Sequence, residues 1–335
     1  MDVSMPSTKN QPSPRRLRNG VSNRLIVAAA FVVAACALPA IVGTNSHLLG
    51  IAVRAMLFIA LGQAWNVVAG IGGQLSLGHG VFFGVGAYGT AILFNSFGVT
   101  PWVGSLIGLL ASVAVAGLMG GATFRLRGVY FALATVAISL CLEKLARHFI
   151  DITGGDAGLA VRFIGDSLWA AQSRSPLPFF FASLLMVVTY YVLTVWLLRN
   201  KFGYQLQAIR DDEEAAAASG VPVFRTKMLG LTLSAAMTAL AGALYVQFYL
   251  AIDPGAAFGL GQAIQIQLPS LIGGLGTAGG PVLGGAIMIA VSELTNWLSA
   301  HTAIHGLDIL AYGLILLMVV MFVPGGLLGR ARRAA

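Results

Sequence analysis

Charge is sparse in this sequence: 20 Lys and Arg and 12 Asp and Glu occur in 335 residues, or 10% of the chain. A soluble domain carries about a quarter. With 57% hydrophobic residues and a mean hydropathy of +0.84, a soluble fold of this length could not hide its apolar side chains in one core. Cysteine is almost missing too. Cys36 and Cys141 each fall inside an apolar run, which excludes a disulfide framework and a Cys-based zinc site. No glycine precedes a lysine, so the chain holds no Gly-x-x-x-x-Gly-Lys-Ser/Thr loop to cradle nucleotide phosphates. A nucleophile with its base, a metal constellation and a paired-acid motif are all lacking as well, which argues against an enzyme. The net charge of +8 is not spread as a basic stripe interleaved with aromatics, so nucleic acid is not the expected partner.

What is present is a series of apolar runs, several near the roughly 20 residues that cross about 30 Å of hydrocarbon. Candidate spans are 25–43, 48–69, 75–94, 102–124, 130–149, 177–198, 228–250, 264–272, 281–298 and 307–323. The expected fold is therefore all-α, a polytopic integral membrane protein of about ten transmembrane helices. The 42 glycines suit close approach of helix backbones in lipid. Residues 1–24, rich in Pro, Ser, Asn and Arg, read as a disordered cytoplasmic tail, and 330–335 as a basic cytoplasmic tail. Between them, 25–329 form the transmembrane domain. Val33-Ala34-Ala35-Cys36 resembles a lipoprotein cleavage box, but the apolar run continues past it and reads as an uncleaved helix.

Positive charge orients the chain. With ten crossings and the N-terminus in the cytoplasm, Lys9, Arg15, Arg16, Arg18, Arg24, Arg125, Arg127, Arg199, Lys201, Arg210, Arg225, Lys227, Arg330, Arg332 and Arg333 share the cytoplasmic side. The run 264–272 is too short to cross alone unless its flanks lengthen it or it is a broken helix, yet removing it would place the last three outside.

Nine of the 32 charged residues lie between Arg199 and Lys227. Within that loop, 211–219 reads as a two-turn helix with Asp211 as N-cap, Glu214 at its third position, four carboxylates at its positive end and Gly220 and Pro222 as stops. So short a helix is marginal in water and calls for a docking partner. Elsewhere Gln74, Ser76 and His79 put polar groups at the start of a glycine-rich span, where they face neighbouring helices or a water-filled path. Glu143 and Arg147 form an i,i+4 pair at the end of the fifth span, beside Lys144 and His148. Glu293 and Asp308 read as interfacial or hydrogen-bonded structural groups rather than ion-binding ones.

Three stretches carry a family resemblance: 203–221 with Phe224-Arg225-Thr226-Lys227 and the helix from Ser234 to Tyr245; Gly73-Gln74-Leu75-Ser76-Leu77-Gly78-His79-Gly80 running to Tyr88; and 273–284. Together, across about 50–325, they resemble the permease subunits of bacterial ABC importers for branched-chain amino acids. The Gln74 to His79 wording is closer to the M-type (LivM-like) subunit than to its H-type partner. The resemblance implies that 199–227 is the cytoplasmic coupling loop docking on an ATPase, through Arg210, Asp211, Asp212, Glu213, Glu214, Ala217 and Gly220. It also implies two ATPase subunits that bind the ATP, a related permease subunit, a periplasmic or extracellular substrate-binding protein that docks on 151–176, and residence in the bacterial cytoplasmic (inner) membrane. No cofactor of its own is expected. Related permeases for urea and short amides share much of the pattern. A secondary transporter relaying ions through Glu293, Asp308, His79 and the Glu143 group is the alternative from another class.

Overall fold

The computed structural model describes residues 39, 46–302, 307–322 and 326–328. The chain divides into two units, 1–45 and 46–335. The expected N-terminal tail, the expected first span apart from Pro39, and the basic tail at 330–335 lie outside the described residues.

Helices dominate the second unit. They are α1 (Ser46–Asn66), α2 (His79–Phe97), α3 (Pro101–Thr123), α4 (Val129–His148), α5 (Ile150–Thr153), α6 (Leu177–Leu197), α7 (Lys201–Asp211), α8 (Glu213–Ala218), α9 (Val223–Tyr249), α10 (Pro254–Phe258), α11 (Leu260–Gly273), α12 (Gly280–Thr302) and α13 (Leu307–Phe322). Two-residue strands, β1 (Leu159–Ala160) and β2 (Ala251–Ile252), pair antiparallel, with Leu159 opposite Ile252. α1 runs on through one π-helical turn, Val67–Ile71. Counting that extension, α1, α2, α3, α4, α6, α9 and α12 are long and apolar enough to cross a membrane.

The expected count of ten is thus an approximation. The run 264–272 belongs to α11, a 14-residue helix carrying Pro269, and at about 1.5 Å per residue it is too short to cross alone. α13 has 16 residues. Proline and glycine set several boundaries. Pro101 opens α3, Pro254 opens α10 behind an Asp253 side chain that accepts from the Ala256 amide, and Gly98 closes α2 at φ +65°.

α1, α2 and α9 are the most buried of the long helices and α4 the least. α9 packs on α2, α3 and α1, while α11 and α12 pair with each other and against α1. The α2–α9 crossing is close because Gly86 faces the Ala239 backbone and Gly242 the Phe83 backbone. Phe83, Ala87, Ala241 and Val246 fill the core around it. At the bundle end opposite α7 and α8, the long 149–176 segment is tied down at several points. Asn95 bonds the Ala160 carbonyl and the Arg162 amide, Trp102 Nε1 donates to Leu168 O at 2.8 Å, and Arg147 pairs with both Glu143 and Asp156.

A Cβ built on Gly86 would lie 2.6 Å from Ala239 Cα, whereas one on Gly117 meets nothing within 4 Å. Gly86→Ala should therefore destabilise by about 1–3 kcal/mol or more, since backbone cannot yield as a side chain can. Gly117→Ala should be neutral or slightly stabilising. Thermal unfolding of the two detergent-solubilised variants checks the crossing; equal midpoints would contradict it.

Candidate functional site

The charged segment 199–227 folds into two helices. Asn200 caps α7, its side chain accepting from the Lys201 amide at 2.7 Å. Gly203, Leu206 and Ile209 recur at a spacing of three along the same face and are buried, so α7 lies on the bundle as an amphipathic helix. Leu206 Cδ2 packs over Gly72 and Gly230, joining α7 to the chain after α1 and to α9.

One turn after Leu206, the Arg210 guanidinium reaches the end of α1. Its Nη1 donates to Gly70 O at 3.2 Å, while Nε and Nη2 donate to Asp211 Oδ1 at 2.9 and 2.8 Å. The acceptor exists because the last carbonyls of a helix lack intrahelical partners, and here the helix ends in a π-turn, a distortion frequent at functional sites. The stem of Arg210 covers Gly73, and its Nη1 also lies beside Gly276 in the loop between α11 and α12. Asn66, fully buried, fastens that loop to α1: its Nδ2 donates to Thr277 O at 2.9 Å and its Oδ1 accepts from the Gly276 amide at 2.9 Å. Thr277 Oγ1 in turn accepts from the Gly280 amide at the start of α12. Residues of all three sequence stretches, 73–88, 203–221 and 273–284, therefore meet at one point, Gly73 and Gly276 both lying against Arg210.

α8 starts one residue later than the sequence implies. Its N-cap is Asp212, not Asp211, in extended conformation (φ −158°, ψ 112°), with its side chain accepting from the Glu214 and Ala215 amides at 2.9 and 3.0 Å. The reason is α7 itself: 201–211 fold as a helix within the expected loop, and Asp211 is its last residue. The stop is where it was expected. Gly220 takes φ +81°, Gly220 N donates to Ala217 O and Val221 N to Ala216 O, the paired bonds of a Schellman cap.

Of the four carboxylates only Glu213 is drawn against the bundle. Glu213 Oε2 pairs with Lys227 Nζ of α9 at 2.6 Å, and that lysine side chain is only 2% exposed. Glu214 pairs with Arg127, in the α3–α4 connection, at 2.9 Å. Its hydrogen bond, with the charges of Glu213 and Glu214 behind it, raises the Arg127 guanidinium above its ordinary value. Both partners are exposed, so this pair contributes little, whereas Glu213–Lys227 is shielded from solvent. Ala217, Ala218, Ser219 and Gly220 are left exposed as an uncharged tip.

Ser76 and His79 lie inside the bundle. Trp65 Nε1 donates to Ser76 O at 2.7 Å, and Leu77 N donates to Thr135 Oγ1 at 3.0 Å. His79 Nε2 lies 2.8 Å from Ser234 Oγ, which donates its only proton to Ala64 O. The serine must then accept from Nε2–H, which fixes the histidine tautomer. Gln74, half-buried, borders a small cavity with Gly73, Arg127 and Glu213, beside α8. The structure thus brings Gln74, Arg210, Asp211 and Glu213 to one end of the bundle and sets Ser76 and His79 between helices. Two features went unread in the sequence: Asn66, one more polar residue in an apolar run, and an ion pair between Arg54 of α1 and Glu293 of α12. Opposite charges at matching depth on two spans were the available signal for the second. Asp308 lies in α13.

Residues 47–324 match the family model described as branched-chain amino acid transport system / permease component. The chain is 28% identical, over 93% of its own length and 76% of the relative's, to the high-affinity branched-chain amino acid transport system permease protein LivM of Salmonella typhimurium. It is 28% identical to LivM of Escherichia coli K12, over 90% of this chain and 74% of that one. To LivH of Salmonella typhimurium it is 25% identical, over 81% of this chain and 90% of that one. No solved structure matches.

The cap assignment predicts that Asp212→Ala costs about 1 kcal/mol of α8 stability and that Asp211→Ala costs less. Hydrogen exchange at the Glu214 and Ala215 amides should accelerate in the first variant and stay near its original rate in the second. Acceleration only in Asp211→Ala would return the cap to that residue.

Proposed function

The chain belongs to the branched-chain amino acid transport permease family, and from that premise we propose that it is the M-type membrane subunit of an ATP-driven importer for branched-chain amino acids, coupled to its ATPases through α7 and α8. In this reading the α7–α8 end faces the cytoplasm, in line with fifteen of the twenty basic residues that a ten-crossing chain would place there. Two ATPase subunits bind and hydrolyse the ATP. A related permease completes the pore, and a substrate-binding protein docks on the opposite end, where 149–176 is folded against α2, α3 and β2.

The observation that carries this reading is the convergence at Arg210. A segment that moved with an ATPase would act directly on the Gly70 carbonyl and, through Asn66, on the loop that starts α12. α1, α11 and α12 would then shift as packed bodies and change access to the path from one side to the other. The carboxylates also set α8 in place: Asp212 caps it and Glu213 holds it to α9 through the shielded Lys227. The ATPase meets the alanine tip.

Ala217→Pro tests the reading. It removes a helical amide from α8 and costs about 3 kcal/mol or more, which at 1.4 kcal/mol per tenfold lowers the population of the helix more than a hundredfold. In proteoliposomes holding the complete complex, ATP-driven leucine uptake should fall at least about tenfold while membrane insertion and helical content persist. Gln207→Ala, which removes a side chain that among the described residues bonds within α7, should transport normally. Normal uptake by a correctly inserted Ala217→Pro complex would place the coupling contact elsewhere.

A further inference from the structure

Charged residues in the long helices fall into two groups. Glu143, Lys144 and Arg147 lie in the last turns of α4, and Arg225 and Lys227 in the first turns of α9, where long side chains can reach water. Arg54 and Glu293 do not. Arg54 stands eight residues into α1, Glu293 eight residues before His301 on α12, each about 12 Å along its helix from that end. The two helices pack together and the two side chains form an ion pair.

Each of these side chains is 28% exposed. A charge facing hydrocarbon is costly, so the open part of the pair faces water or another subunit rather than lipid. Arg54 Nε is buried and has no hydrogen-bond partner among the described residues, so one edge of the guanidinium fork is unused. Tyr245 and Tyr249, with rings 4.3 Å apart, lie within electrostatic reach of Arg54, and Trp297, one turn from Glu293 on the same face, is 60% exposed.

We propose that the Arg54–Glu293 pair is a weak holding site for a zwitterionic α-amino acid on the transport path. This rests on the functional reading above and deepens it. The ammonium and carboxylate of an α-amino acid are joined through a single carbon, so a site that takes both at once needs opposite charges of its own that lie close together. An Arg–Glu pair meets that requirement: the guanidinium fork takes the carboxylate, the glutamate takes the ammonium, and the nearby aromatic rings offer an apolar wall to an aliphatic side chain. Because the pair must open to admit the ligand, the new contacts largely offset the old one and binding stays weak. A conducting path requires that weakness.

The test uses the complete complex in lipid nanodiscs without binding protein, with Cys36 and Cys141 replaced by serine and with Asn296→Cys, an exposed position one turn beyond Glu293. Millimolar L-leucine should slow thiol labelling there several-fold. 4-Methylpentanoate, which lacks the ammonium, and 3-methylbutylamine, which lacks the carboxylate, should slow it far less. Arg54→Lys keeps a helix-to-helix ion pair but loses the fork, and should raise the leucine concentration needed by roughly tenfold. The reversed pair, Arg54→Glu with Glu293→Arg, would restore a purely structural clip; the proposal expects leucine uptake to stay low in it. Equal protection by all three compounds, no protection by leucine, an unchanged Arg54→Lys, or full uptake by the reversed pair would each overturn the site. ATP-driven leucine uptake by the otherwise unsubstituted complex, measured in parallel, separates that failure from failure of the transport assignment itself.

Discussion

The bond from the Arg210 guanidinium to the Gly70 carbonyl is the point where α7, the end of α1 and the loop before α12 come together. It joins a helix outside the bundle to the end of a helix running through its middle. The acceptor is available because α1 finishes in a π-turn, and the donor is aimed because Leu206 and Ile209 seat α7 and Asp211 holds the guanidinium from its other edge. An exposed guanidinium–carboxylate contact alone would be worth little. Seated on a buried helix face, it fixes α7 against the end of α1.

Irregular backbone is the second constraint. The loops 72–78 and 274–279, at the α7–α8 end of the bundle, bury part of their backbone outside any helix, and such polar groups need partners within the protein. The structure supplies these with side chains from the neighbouring elements. Trp65 bonds the Ser76 carbonyl, Thr135 the Leu77 amide, Asn66 both Gly276 and Thr277, and Thr277 the Gly280 amide. Ser76 and His79 thereby serve as internal fastenings between α1, α2 and α9. Gly70 lies so close to the Gly276 amide that a larger residue would separate the two loops and weaken the Arg210 contact with them.

Much of this was legible in the sequence. Hydropathy alone places the seven long helices to within a few residues, because a run of about 20 apolar residues has few other uses. The Gly220 stop was equally readable, since only the backbone freedom of glycine suits that cap. α11 was not, because hydropathy reports apolar length and says nothing of a chain that goes from β2 at one end of the bundle to the 274–279 loop at the other in two short helices, the second carrying Pro269. The cap of α8 was misplaced by one residue for a similar reason: the charge run hid the three-residue spacing of Gly203, Leu206 and Ile209, so α7 went unread and Asp211 stood at the wrong boundary. Asn66 and Arg210 are 144 positions apart in sequence, and only the folded chain brings their partners Gly70 and Gly276 side by side.

The most direct test of the central claim is Arg210→Gln in the reconstituted complex, with ATP hydrolysis and amino acid uptake measured on the same vesicles. Gln retains a donor but neither the charge nor the reach to hold Gly70 and Asp211 together. The account predicts a complex that assembles and hydrolyses ATP at its basal rate, fails to raise that rate with loaded binding protein, and imports at least about tenfold less substrate, a loss of roughly 1.4 kcal/mol in coupling. Unchanged uptake with unchanged stimulation would show that motion reaches the pore by another route.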